Sequence, residues 1–223
     1  MKGIILKDFY ETFCIKKNLF GFLFSFAFVV LIVAFMKNLY TFILIVGVTL
    51  PLVGSSPMQY SMEQDDISGF NSILLTYPLS KKKIMLAKYL SCFLFLVGSW
   101  IFSFLIMLVY VYVYKTIALY PALEIFIAGM IVSLAVLSIC NMGLMILGSK
   151  KGTILFIAIT ILFCAGYVFS ALNIGVENIL LLDKHLLMLI GAVIAIILLF
   201  ISYYVSLKVY TCLLYTSDAA DEL

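Results

Sequence analysis

Six long apolar stretches decide what this chain can fold into. Residues 18–36, 39–58, 89–114, 122–147, 153–172 and 186–207 contain no Asp, Glu, Lys or Arg apart from Glu124, near the start of the fourth. At 1.5 Å of rise per helical residue, each is long enough to cross the ~30 Å hydrocarbon core of a bilayer. None alternates in the manner of barrel strands, so all six are expected to be helices. Hydrophobic residues make up 65% of the chain and charged residues only 11%, where soluble domains carry roughly half and a quarter. Such a chain needs lipid as part of its solvent. The polar remainder is too short for a soluble nucleotide- or substrate-binding domain. No small-x-small site follows Met36, so the first stretch is expected to stay as a span and not to be a cleaved leader.

Charge gives the orientation. All 14 basic residues are Lys, and the formal net charge of +3 is too small and too dispersed for nucleic-acid binding. With the N-terminus in the cytoplasm, the inner segments hold 11 lysines (2, 7, 16, 17, 81, 82, 83, 88, 150, 151 and 208) and the outer ones hold three (37, 115 and 184). That excess predicts both termini inside. The fold expected is therefore all-α, with six transmembrane helices and both termini cytoplasmic.

Two polar segments have patterns of their own. In residues 1–17, Ile5, Phe9 and Phe13 recur at helical spacing beside Leu6, while Lys7, Asp8, Glu11 and Thr12 share the other side. This predicts an amphipathic helix lying on the inner membrane surface, its lysines near anionic headgroups. Residues 61–83 form the cytoplasmic loop before the third span. There Ile67, Phe70 and Leu74 recur at helical spacing, Tyr77-Pro78 ends that short helix, and Ser80 is placed to cap the next. Lys81, Lys82 and Lys83 oppose the dipole of the helix they begin, so they and Lys88 are read as headgroup and topology anchors.

Most kinds of chemistry find no residues to carry them. Gly143 to Gly148-Ser149-Lys150 has the glycine spacing of a phosphate-binding loop, but Ser and Lys stand in the wrong order and the glycines lie in a span. His185 is the sole histidine, and neither His nor Cys occurs at metal-ligand spacing, so no catalytic, cofactor-binding or metal residue is assigned. Ionisable groups inside the spans are too few for an intramembrane enzyme or a proton-coupled transporter. The string from Cys212 to Glu222 resembles the in-frame translation of a sequencing adapter, and residues 212–223 are taken as a non-native tail.

The loop also carries a family likeness. The stretch from Glu63 through Asp65-Asp66, Asn71 and Leu75 to Tyr77-Pro78-Leu79-Ser80-Lys81-Lys82, followed by Ala87-Lys88-Tyr89-Leu90, resembles ABC-2 type permeases. The likeness is closest to the small six-helix branch without a large outer domain. The interfacial helix (1–17) and the six-helix permease domain (18–211) agree with it, whereas a basic cluster made only of Lys departs from the Arg common there. The resemblance implies the membrane subunit of an ATP-binding cassette exporter in a bacterial plasma membrane, moving a hydrophobic or amphipathic peptide, lipid or drug. It implies a second permease subunit, as homo- or heterodimer, and two copies of a separate ABC ATPase holding the ATP and Mg. It also implies that Glu63, Asp66, Ile67, Phe70, Asn71, Leu74 and Pro78 belong to a coupling helix that meets this ATPase. The alternatives are the membrane component of an ATP-driven uptake system, and a non-transporting immunity or scaffold protein.

Overall fold

The computed structural model describes residues 2–70, 73–74, 79–173 and 185–220, without the side chains of residues 51, 170–173 and 213–220. Asn71 and Pro78 of the expected coupling helix lie outside the described residues.

The order is α1 (Lys2–Phe13), α2 (Lys16–Phe35), α3 (Leu39–Ile43), a π-helical segment (Leu44–Thr49), α4 (Leu50–Gly54), α5 (Pro57–Ser68), α6 (Lys81–Leu108) with a π-helical end (Val109–Val113), α7 (Leu119–Asn173) and α8 (His185–Ala220). Among the described residues there is no strand. Five helical runs are long and apolar enough to cross a membrane. One of them, Leu119–Phe169, has 51 residues and would extend about 77 Å if straight, more than twice a bilayer core. It is broken at Gly148, whose φ of 78° and ψ of 173° are non-helical. A Cβ on Gly143 would lie 2.2 Å from Leu155, and one on Gly152 would lie 2.6 Å from Leu144, so the two arms fold back on each other. The break turns five runs into the six spans expected.

The second span departs from a simple rod. Its middle widens into the π-helical segment just before Pro51. Proline has no N–H to offer the carbonyl four residues back, and a wider turn absorbs that defect. A Cβ on Gly129 of α7 would lie 2.6 Å from the carbonyl oxygen of Val46, so the two backbones touch where the side chain is missing. After a short break at Ser55–Ser56, the helix resumes as α5 and carries residues 61–68 out of the span without a loop. Gly69, left-handed at φ 64°, then ends it. The single helix expected over Ile67 to Leu75 is thus divided at Gly69, and Ile67 and Leu74 do not share a face. Ser80 stands before α6 as expected, but its backbone carbonyl, not its hydroxyl, receives Lys83 N–H at 2.8 Å.

Several polar side chains within the spans are tied to one another. Tyr89 Oη of α6 lies 2.7 Å from Ser202 Oγ and 2.8 Å from Ser206 Oγ of α8, and Ser202 Oγ donates to the Ser138 carbonyl of α7 at 2.6 Å. Each hydroxyl has one proton. Ser202 spends its own on Ser138, so Tyr89 donates to Ser202 and Ser206 donates to Tyr89. Trp100 Nε1 donates to Ser133 Oγ at 2.9 Å, a packing role that joins α6 to α7.

Candidate functional site: a buried charge cluster under the N-terminal helix

Helix α1 buries the polar side that the sequence reading placed towards the headgroups, while Ile5 and Phe9 of the expected apolar face are half-buried. Its buried residues are Ile4, Asp8, Glu11 and Thr12, whereas Leu6 and Tyr10 are exposed. Amphipathicity in water would turn the polar face outwards; beside lipid, the apolar residues face the solvent and the polar residues look for partners inside. Those partners stand on α5 and α6. Asp8 accepts from Ser61 Oγ at 2.8 Å and from Ser91 Oγ at 2.5 Å. Lys7 bridges Glu11 at 3.0 Å and also pairs with Asp65. Asp65 in turn holds Lys88, and both are almost completely buried, with side chains 1% and 3% exposed. The Lys7 ammonium also lies 4.1 Å from the centroid of the Phe70 ring.

The structure therefore corrects the reading of Lys88 as a headgroup anchor. It lies seven residues, about 10 Å, into α6, too deep for solvent, and its counterion is Asp65. Lys82 and Lys83 are exposed and Lys81 is half-buried, as surface lysines would be. A lone lysine set within a helix that turns apolar around it is a signal for a buried partner. Its place at the edge of an apolar run disguised that signal.

If every group is ionised, three carboxylates face two ammonium groups. Desolvation pushes the Asp8 carboxyl above its ordinary range, opposed by hydrogen bonds from Ser91 and Ser61 and by the charges of Lys88 and Lys7. Desolvation also raises Glu11, with Lys7 opposing and Asp65 and Asp8 reinforcing. A raised carboxyl stabilises the folded form most when protonated, and that contribution is lost as the pH rises through the raised value. The docking of α1 is thus expected to tighten in mildly acidic buffer relative to neutral buffer. Asp8→Asn, which keeps the shape without the charge, should flatten this dependence in thermal melts of the detergent-solubilised protein. An undiminished slope in the variant would show that Asp8 is not its source.

The remaining expected coupling residues lie apart. Leu74 is buried in the chain's own core, 3% exposed, and Phe70 is half-buried against the same core. Ile67 is 70% exposed. Glu63 pairs with Lys17 at 2.9 Å on the surface, and Asp66 is exposed beside it. Glu63, Asp66 and Ile67 line an open groove of about 630 Å³ whose other wall is Ser149, Lys150 and Thr153, just past the α7 break. The tip of α5 and the turn at Gly148 are therefore neighbours at one end of the bundle. At the opposite end, Lys37 lies over the Tyr114 ring and His185 lies 3.1 Å from Tyr120. No group of His, Cys, Asp and Glu suited to a metal ion occurs among the described residues.

A six-span helical bundle, with its N-terminal helix pinned through charge pairs to the polar tip of its second span, is a multi-pass membrane protein. The chain belongs to the family described as ABC-2 family transporter protein, whose family model matches residues 3–211, and it is a transporter membrane component. No curated protein and no solved structure matches the chain.

Proposed function

We propose that this chain is the permease subunit of an ATP-driven exporter in a bacterial plasma membrane. Two six-helix subunits frame the pathway, the lysine-rich end lies in the cytoplasm, and two copies of a separate ABC ATPase bind beneath it with ATP and Mg. The substrate is hydrophobic or amphipathic, because the spans offer an apolar substrate few polar obstacles and an ionic one few partners.

The observation that carries the ATPase contact is Ile67. It is a large apolar side chain, 70% exposed, flanked by Glu63 and Asp66 on the groove that joins α5 to the α7 turn. Phe70 and Leu74 pack inwards, which makes Ile67 the apolar anchor of the docking surface. Interface energy concentrates in a few such residues, and losing one typically costs about 2 kcal/mol, roughly 30-fold in affinity.

The test is to co-express the chain with candidate ABC ATPase subunits from its source and to cross-link from Ile67→Cys. Capture of the ATPase is expected, and Ile67→Asp should lower both ATPase co-purification and substrate-stimulated turnover by about 30-fold while the bundle stays inserted. Capture of lipid alone from position 67, with the ATPase unlinked, would overturn the docking assignment.

A further inference from the structure

A partly open apolar slot of about 270 Å³ lies between α1, α2, α4 and α6, and no residue of the charge cluster or the groove lines it. Six phenylalanine rings converge on it: Phe9 and Phe13 from α1, Phe22 and Phe26 from α2, Phe95 and Phe102 from α6. Phe9 stacks on Phe95 with centroids 4.3 Å apart, and Phe26 lies 4.3 Å from Phe102, so the rings form a continuous wall. The polar side chains at the lining are Ser25 and Ser99, and both spend their protons locally. Ser25 Oγ donates to the Gly21 carbonyl at 3.0 Å and Ser99 Oγ to the Leu96 carbonyl at 2.8 Å. No charged side chain lines the slot. Sugar, peptide or ionic chemistry would be stranded there, because a buried polar group without a partner is costly. What fits is hydrocarbon.

Depth narrows the choice further. Phe22, Ser25, Phe26 and Val29 line the slot from α2, six to thirteen residues beyond Lys16, or about 9 to 20 Å along the helix. Half of a hydrocarbon core is about 15 Å. The slot thus begins beneath the surface helix and ends near the bilayer midplane, which is the reach of one chain of one leaflet. Lys16 is exposed at the head of α2, where the phosphate of such a lipid would lie.

Gly98 supplies an independent observation. It lines the slot from the middle of α6, a helix interior where glycine is unfavourable. At Gly129 a neighbouring backbone forbids a side chain, but at Gly98 nothing lies within 4 Å of where a Cβ would stand. Packing within the chain gives no reason for the glycine. Keeping the slot open does.

We infer that the slot between α1, α2, α4 and α6 is a binding site for one acyl chain of a phospholipid from the leaflet on the α1 side. This site is independent of the ATPase reading.

The test uses the full chain in vesicles of phosphatidylethanolamine and phosphatidylglycerol, doped with a phospholipid bearing a diazirine partway along one chain. After irradiation, adducts are mapped by mass spectrometry. Adducts on the segments holding Phe26, Phe95 and Phe102 are expected. Gly98→Leu, which grows into the slot without meeting backbone, should reduce them at least tenfold while leaving adducts at the lipid-exposed Phe200 and Ile201 of α8 unchanged. Phe26→Ala enlarges the slot and should raise them, which keeps the test decisive if Gly98→Leu accumulates poorly. Slot adducts no higher than the α8 background, or undiminished in Gly98→Leu, would overturn the site. A headgroup-free alkane with the same diazirine labelling the slot as strongly as the phospholipid would overturn the lipid assignment.

Discussion

Replacing Lys88 with methionine is expected to lower stability by about 3–5 kcal/mol, one of the two largest effects predicted for this chain. Methionine nearly matches lysine in length, so the loss is chiefly of charge. Asp65 would remain, with its side chain 1% exposed, and would keep one of its two ammonium partners. Lys7, 18% exposed on its side chain, is the weaker partner because water screens it more. A buried charge left with only its weaker partner costs more than the lost pair contributed, because the desolvation of Asp65 is no longer matched by a buried counterion. The measurable result is a large fall in the melting temperature of the solubilised protein, together with faster proteolysis of α1. The double variant Lys88→Met with Asp65→Leu should recover most of that loss, because it removes the stranded charge as well. If Lys88→Met alone melts with the unaltered protein, the cluster does not hold the three helices together.

The same cluster shows where sequence reasoning reached and where it stopped. The six spans were legible because hydrophobic length is a one-dimensional property: the apolar runs ending at 147 and resuming at 153 already bracket the Gly148 turn. The N-terminal helix was legible as a helix with two unlike faces, but not the direction of those faces. Polarity patterning tells only that the two faces differ, and beside lipid the apolar face is the solvated one. The pairing of Lys88 with Asp65, 23 residues away, needed the third dimension, as did the contact of Asp8 with Ser91. Helical spacing grouped Ile67, Phe70 and Leu74 on one face. Gly69 is free to adopt a left-handed φ and divides that face, a conformation glycine allows but does not demand. The aromatic slot was not foreseen, since its six rings come from three helices and each ring alone reads as a residue facing lipid.

Gly148 carries the last prediction, and its conformation is one that almost no other residue accepts. At φ 78° and ψ 173° it lies in a region open essentially to glycine alone, where other residues meet strain of about 1–3 kcal/mol. Valine, branched at Cβ, should stand at the upper end of that range and alanine lower. Space is no obstacle, because nothing lies within 4 Å of a Cβ placed there. The cost is therefore purely in the backbone, and packing changes elsewhere cannot relieve it. Relieving it instead by letting the helix continue would straighten a 51-residue run and pull the fourth and fifth spans apart. That would undo the packing of Val136 and Cys140 against Phe156, Ile159 and Phe163. It would also carry Ser149, Lys150 and Thr153 away from the tip of α5 and dismantle the groove beside Ile67. Gly148→Val is thus expected to lower the melting temperature by about 6–12 °C, taking roughly 3 kcal/mol and the usual conversion for a chain of this size. It should also weaken ATPase capture from position 67, even though residue 148 does not line the docking groove. A valine variant that melts with the unaltered protein and captures the ATPase equally well would show that the turn tolerates a conformation glycine alone was thought to supply.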